Sequence, residues 1–322
     1  MSEIKGKVYL LLAFALAGTS VVIGRILAGK LGSFTITTLS LGLLLICCAP
    51  FCAAATRSVS RRLRRRDWKL LLLQAVFGIF LFRAFLLSGI HFTSAVEAGI
   101  LTGAIPAVTA LLALLVLKEP LSKKVVVGIG CTVAGIVLLQ GIELNGSSFS
   151  IHHFGGNLLI LCAAASESTF NVISRSHRGK DQSSQLPLPP LVQTLLVSAL
   201  AFLFCLIPAL LEHPFAAIQQ IGLREWAALL WYGLVVTALS FVFFYAGIKR
   251  CDAHTAAAFS GMIPLTSMLL SVLLLGERIS YMHWAGAILI ISSILLTGGA
   301  PGVKTEAEKI AGVRQLDGQA QR

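Results

Sequence analysis

Ten stretches of mostly apolar residues follow one another along the chain, near 8–26, 34–55, 69–89, 95–117, 125–141, 156–175, 191–211, 226–248, 254–275 and 281–298. A helix needs roughly 20 such residues to cross a hydrocarbon core about 30 Å thick. Polar residues gather in the joints between the stretches, and no joint is long enough to hold a soluble domain. The fifth stretch has only 17 residues, but Gly128, Gly130 and Gly135 suit a closely packed interior helix. The inner joint 176–190 ends in Leu-Pro-Leu-Pro-Pro, a stiff extended piece. The pattern predicts an all-α integral membrane protein of ten transmembrane helices.

Charge supports the same reading. Of 322 residues, 56% are hydrophobic and 12% charged, and the net charge is +12. That excess alone would suggest a nucleic-acid partner. Its distribution says otherwise: with the N-terminus inside, 21 of the 26 lysines and arginines fall in inner segments and 3 in outer ones. Such a bias predicts a multi-pass membrane protein with both termini cytoplasmic, and no nucleic acid. The run Arg61–Arg66 reads first as a topology anchor, with anionic lipid as its other candidate partner. Seven cysteines lie mostly within apolar runs, without a CxxC pair or a histidine cluster, so no metal site and no cofactor is expected.

The chain also repeats itself. Shifted by 158 residues, segment 89–141 falls on 247–299 without a gap. Gly103-Ala-Ile-Pro106 meets Gly261-Met-Ile-Pro264, Glu119-Pro-Leu-Ser122 meets Glu277-Arg-Ile-Ser280, and Gly128 meets Gly286. A shift of 150 aligns the starts of the halves, with Gly6, Val22, Ile23 and Arg25 on Gly156, Val172, Ile173 and Arg175. The expected units are residues 6–141 and 156–299, followed by a polar cytoplasmic tail, 300–322. Five helices per unit is an odd number, so the second unit should enter the membrane inverted, the arrangement of secondary transporters. Stretch 8–26 could pass for a signal peptide, but its repeat counterpart lies deep in the chain, which favours a retained helix.

With Pro106, Lys118-Glu119, Gly128, Gly135 and Gly141 in one half and Pro264, Gly276-Glu277, Gly286 and Gly299 in the other, the chain resembles the EamA family of the drug/metabolite transporter superfamily. The resemblance covers residues 6–299. It departs at Lys118, where the family commonly has Gly, and at Ser293, opposite Gly135. It implies a ten-helix inner-membrane carrier of small metabolites, often amino acids or drugs and frequently exported.

Ionisable groups at mid-membrane are costly, so they face a cavity or a partner. Glu167 and Arg83 lie deep in the sixth and third stretches, and Asn171 shares a helix face with Glu167. Glu97 lies one turn into the fourth stretch and Arg25 near the end of the first. The expected site is a cavity in which Arg83 takes a carboxylate and Glu167 or Glu97 takes an amine or a proton; structural ion pairing is the competing reading. Gln74, Phe77, Trp231, Tyr232 and Tyr245 are candidates for its wall, or interfacial anchors in the case of the Trp and Tyr residues. His91 and His254 should be solvated. Glu119 and Glu277 should satisfy the amides of the next helix start. Pro106 and Pro264 should kink their helices, and Gly99 with Gly103 should form a close-packing face.

The expected function is export of a small amino-acid-like or drug-like solute by alternating access, with the proton as candidate coupling ion, lipid as surroundings and a homodimer left open. The alternatives are an intramembrane enzyme such as a lipid-group transferase, or a lipid or nucleotide-sugar transporter. The enzyme reading is weak because every aspartate (67, 181, 252 and 317) falls outside the apolar stretches. Phosphate-bearing solutes would want more buried cations than Arg83 and Arg25. No nucleotide-binding loop is present for ATP hydrolysis.

Overall fold

The computed structural model describes residues 2–112, 114–115, 121–139, 151–176, 188–251 and 259–298. Lys118, Glu119, Gly141, His254, Gly299 and the tail 300–322 lie outside the described residues.

The regular structure of the described residues is helical, joined by short turns, with no strand among them. The helices are α1 (Ser2–Ala28), α2 (Ser33–Ser60), α3 (Arg65–Ala75), α4 (Phe82–Ile90), α5 (Ala95–Thr102), α6 (Ile105–Leu112) and α7 (Lys123–Leu139). They continue as α8 (Ile151–Ser176), α9 (Pro190–Leu211), α10 (Pro214–Ile218), α11 (Leu223–Leu230), α12 (Ser240–Ile248), α13 (Met262–Leu275) and α14 (Tyr281–Gly298). A π-helical segment, Val76–Leu81, joins α3 to α4, and another, Trp231–Leu239, joins α11 to α12. Taken as continuous rods, seven described helices are long and apolar enough to cross a membrane. Two shorter apolar helices, Met262–Leu275 and Tyr281–Leu296, and the 17-residue α7 cover the remaining expected stretches.

Local chemistry sets the helix ends. The Arg64 amide donates to the Asp67 carboxylate at 3.0 Å and the Gly222 amide to Glu225 at 2.8 Å, so an acid three residues in satisfies the turn before each helix. Pro190 opens α9 at a position whose amide would have no helical partner anyway. Two longer-range caps are more informative. Glu212, just past α9, accepts from the amides of Phe34 and Thr35 at the start of α2. Glu277, just past α13, accepts from those of Ala95 and Val96 at the start of α5. Glu277 is therefore a helix cap, but its helix lies in the other half of the chain and is not the next one along.

Pro106 and Pro264 act by interruption. The fourth apolar stretch breaks at Gly103–Ala104 and resumes as α6 with Pro106 at its second residue. At the repeat-equivalent point, turn residues Ser260–Gly261 precede α13, whose third residue is Pro264. A proline in the first turn has no amide to lose, so the chain breaks before it and continues straight after it.

Packing is inside-out relative to a soluble bundle. Phe51, Leu211, Ile207 and Leu273 are exposed on the outer surface, while Thr35, Ser40, Ser168, Ser198, Thr237 and Ser267 are buried. Many of the buried hydroxyls donate to a carbonyl one turn back, as Thr37 does to Ser33 and Ser271 to Ser267, which satisfies them without a partner helix. Gly99 brings α5 against the Ser267 side chain of α13, and Gly103 packs on Ile290 of α14. The expected close-packing face is thus an interface with the other half. α1 packs on α12 and α13, just as α8 packs on α4 and α6. The remaining large contacts join α2 to α9, α5 to α13 and α7 to α14. In the last of these, Ser293 stands where the first half has glycine, and its Oγ accepts from the Thr132 hydroxyl at 2.6 Å.

Candidate functional site

A cavity lies in the middle of the bundle, walled by α1, the two π-helical segments and their flanking helices, Thr102 of α5, α6, α8 and residue Ile263 of α13. The π segments explain part of its shape. Each inserts residues into a helix, widening it and re-aiming its side chains. Gly78 and Ile79 of the first segment and Tyr232 and Val236 of the second reach the cavity. In the second, the Thr237 hydroxyl donates to the Tyr232 carbonyl five residues back, the register of a π turn.

Arg83 and Glu167 both line this cavity. Arg83 is 4% exposed. Its guanidinium is the buried charge of this wall. It lies 4.3 Å from the centroid of the Tyr232 ring and donates to the hydroxyls of Ser40, at 3.1 Å, and Thr237. These contacts hold the cation in place with uncharged groups and leave its charge unpaired among the described residues. Glu167 is half-buried on α8 and has no hydrogen bond or ion pair among the described residues. The two side chains therefore share a cavity without neutralising each other. The buried Tyr232 hydroxyl, on the same wall, has no hydrogen-bond partner among the described residues. The rest of the lining is largely aromatic: Phe170 packs on Phe241 and Phe244, at centroid separations of 5.9 and 6.1 Å, and Phe14 on Phe244 at 5.9 Å.

The other sequence candidates separate from this pair. Tyr245 stands behind the wall, in edge contact with Phe241 and Phe244, and is buried. Asn171 lies one turn beyond Glu167 on α8, outside the lining. Gln74 is buried in its own amide network, donating to Ser174 and accepting from Gln193. Phe77 gives only its carbonyl, to the Ser166 hydroxyl. Trp231 turns away: its indole donates to Thr19 at 3.0 Å and the residue is 43% exposed, because one helical step separates it from the cavity-facing Tyr232. Arg25 donates to the Ile90 carbonyl, an anchor at a helix end, and His91 is exposed.

Glu97 belongs to a second polar cluster. Its carboxylate meets His153 Nε2 at 3.0 Å and His283 Nε2 at 3.3 Å, and accepts from Asn157 and Thr93 at 3.2 Å each. Sequence reasoning passed over His153, Asn157 and His283. The spacing of His153 and Asn157 puts both on one face of α8, which was legible; that α5 and α14 bring Glu97 and His283 to that face was not. It also passed over Ser40, Thr237, Phe170, Phe241 and Phe244. A serine or phenylalanine in an apolar helix carries no local sign of which way it points.

Comparison with known proteins accords with this architecture. The EamA-like transporter family model matches residues 4–140 and again 154–299. The uncharacterized transporter YetK of Bacillus subtilis is 29% identical over 296 residues, covering 88% of this chain and 84% of that one. A probable amino-acid metabolite efflux pump of Salmonella typhimurium is 28% identical over 186 residues, covering 56% and 60%. A solved crystal structure superimposes with a TM-score of 0.59 at 22% identity, over 90% of this chain and 95% of that one, a likeness of fold. With both halves matched by the same model, and apolar helices fit to cross a membrane, this multi-pass chain belongs to the EamA-like transporter family.

Proposed function

We propose that the protein exports a small amino-acid-like or drug-like solute across the cytoplasmic membrane by alternating access around the cavity of Arg83 and Glu167. The observation that carries this reading is that a buried guanidinium and a carboxylate, each without a charged partner among the described residues, line one aromatic cavity. Unpaired charges in a membrane protein are retained where a ligand completes them. A solute with a carboxylate for Arg83, an amine for Glu167 and an apolar body for Phe170, Phe241 and Phe244 fits the arrangement. A single guanidinium suits a carboxylate better than a phosphate-rich solute. The name of the Salmonella relative favours amino-acid metabolites and the outward direction.

The moving parts in this reading are two inverted five-helix units, residues 6–141 and 156–299. They make up ten spans with both termini and the tail 300–322 on the cytoplasmic side. The exchange of partners between halves supports it, since α1 meets α12 and α13 as α8 meets α4 and α6. The placement of 21 of 26 basic residues on one side supports the orientation. The test is export of a panel of amino acids and their derivatives from cells that express the gene and cells that lack it. Accumulation of one panel member outside the expressing cells, lost in Arg83→Ala and Glu167→Gln, is the expected result. Export unchanged in both variants would overturn the site.

A further inference from the structure

The corner between α2 and α3 carries seven cations within thirteen residues: Arg57, Arg61, Arg62, Arg64, Arg65, Arg66 and Lys69. All seven are exposed. The one acid in this stretch, Asp67, is buried and accepts from the Arg64 amide at 3.0 Å. α2 and α3, and α9 which packs against both, carry no other acid. The corner therefore presents a strongly positive surface that its own helices and α9 do not neutralise.

This surface is built on an anchored turn. Val59, Leu63 and Trp68 pack inward on a core cluster that includes Leu71 of α3 and Leu188 and Val192 at the start of α9. Backbone amides close the turn, Arg61 donating to Arg57, Arg62 to Val59 and Trp68 to Arg64. Its depth follows from helix length. α2 has 28 residues. At 1.5 Å each it is about 42 Å long, so it outreaches a hydrocarbon core about 30 Å thick and lifts its last turns to headgroup level. Helical spacing puts Ile46, Pro50, Ala53, Arg57 and Arg61 on one face of α2, and all are exposed. On α3 the exposed face runs Arg65, Lys69 and Leu72. Both faces pass from cationic at the corner to apolar deeper in, the order in which a phospholipid presents phosphate and acyl chain.

From this arrangement we infer that the α2–α3 corner is a binding site for anionic phospholipid, its arginines holding the phosphodiester and the two exposed faces taking the acyl chains. Setting the topology asks only for positive charge on one side, and lysine serves that purpose as well. Six of the seven cations here are arginine, whose planar fork takes two phosphate oxygens at once. A soluble polyanion has no acyl chain for the apolar ends of these faces. In the proposed orientation the corner meets the cytoplasmic leaflet, where anionic headgroups attract basic side chains. Because the corner also packs on α9, in the other half of the chain, a lipid seated there steadies the contact between halves. The inference needs the membrane placement and makes no use of the solute.

The test uses the full chain in detergent, titrated with phosphatidylglycerol or phosphatidylcholine and read by native mass spectrometry. Phosphatidylglycerol is expected to bind at least about tenfold tighter, since each cation near an anionic surface contributes about fivefold. Arg61→Gln, Arg62→Gln and Arg65→Gln combined should remove most of that preference. Lysine at the same three positions keeps the charge that sets the topology, and should still lose at least about threefold because the fork is gone. Lys123→Gln with Lys124→Gln, exposed cations at the start of α7, should leave the preference intact. Four results would overturn the proposal. They are a preference that survives the glutamine variant, one that falls equally in the α7 control, wild-type binding by the lysine variant, and displacement of the lipid by equimolar glycerol phosphate or a short oligonucleotide. A preference that emerges only after removal of residues 300–322 would assign the corner to the tail and equally overturn it. Export is not part of the readout, so a failed solute panel faults the solute reading and leaves the lipid site standing.

Discussion

Arg83 lies over the ring of Tyr232 with its guanidinium carbon 4.3 Å from the ring centroid. The two residues belong to different halves of the chain, on helices that each carry a π-helical segment beside the cavity. The ring face shields one side of the cation, the Ser40 and Thr237 hydroxyls fix its edges, and no carboxylate among the described residues quenches it. The cation is thus held in geometry and left available in charge.

Replacing Arg83 separates these roles. Arg83→Lys keeps the charge but cannot place donors on Ser40 and Thr237 while lying flat on Tyr232. Export of the responsive panel solute should drop at least about tenfold in Arg83→Lys and become undetectable in Arg83→Ala, while both proteins elute as folded particles in detergent. A hydrogen bond to a charged group is worth about 1.5–3 kcal/mol, which sets that scale.

Tyr232→Phe tests the unpartnered hydroxyl. The ring that carries the cation contact remains, and no hydrogen bond among the described residues is lost. Thermal stability should therefore stay level or rise slightly. If the hydroxyl meets the solute, the apparent affinity for export should weaken about three- to tenfold, a loss on the order of 1 kcal/mol. Unchanged affinity would remove Tyr232 from solute contact.

Gly99 makes a structural prediction. A Cβ there would run into the Ser267 side chain across the α5–α13 contact. Gly99→Val should cost about 1–3 kcal/mol through overpacking, read as a lower melting temperature of the purified protein. Adding Ser267→Gly should recover part of it, because the obstacle is a side chain.

Glu277 is expected to matter for stability rather than for export chemistry. Its carboxylate satisfies two amides at the start of α5 and sits at the positive end of that helix. Glu277→Ala should lower stability by about 1–2 kcal/mol, and Glu277→Gln by less, in thermal unfolding. Glu212→Ala should behave alike at α2, where the same device recurs.

Much of this protein was legible in the chain itself. Apolar run length determined where helices form, because an uncompensated backbone in lipid has no alternative to the helix. The placement of lysine and arginine predicts an orientation, and the 158-residue repeat announces two related halves, each matched by the same family model. The depth of Arg83 and Glu167 marked them as candidates, since buried charge is rare enough in such helices to stand out.

What tertiary structure decided is which of those residues meet. Glu97 and Glu167 look alike in sequence, yet one is surrounded by groups from the turn before α5, from α8 and from α14, and the other faces a cavity. Trp231 and Tyr232 are neighbours in the chain and point to different surroundings, because the helix turns between them. Glu277 caps a helix that begins 182 residues earlier, a pairing no local pattern announces. Helix formation follows from short-range periodicity and solvent, so the chain declares it. Site formation depends on the rotation of each helix about its axis and on which helix lies against it, and those are set only by packing.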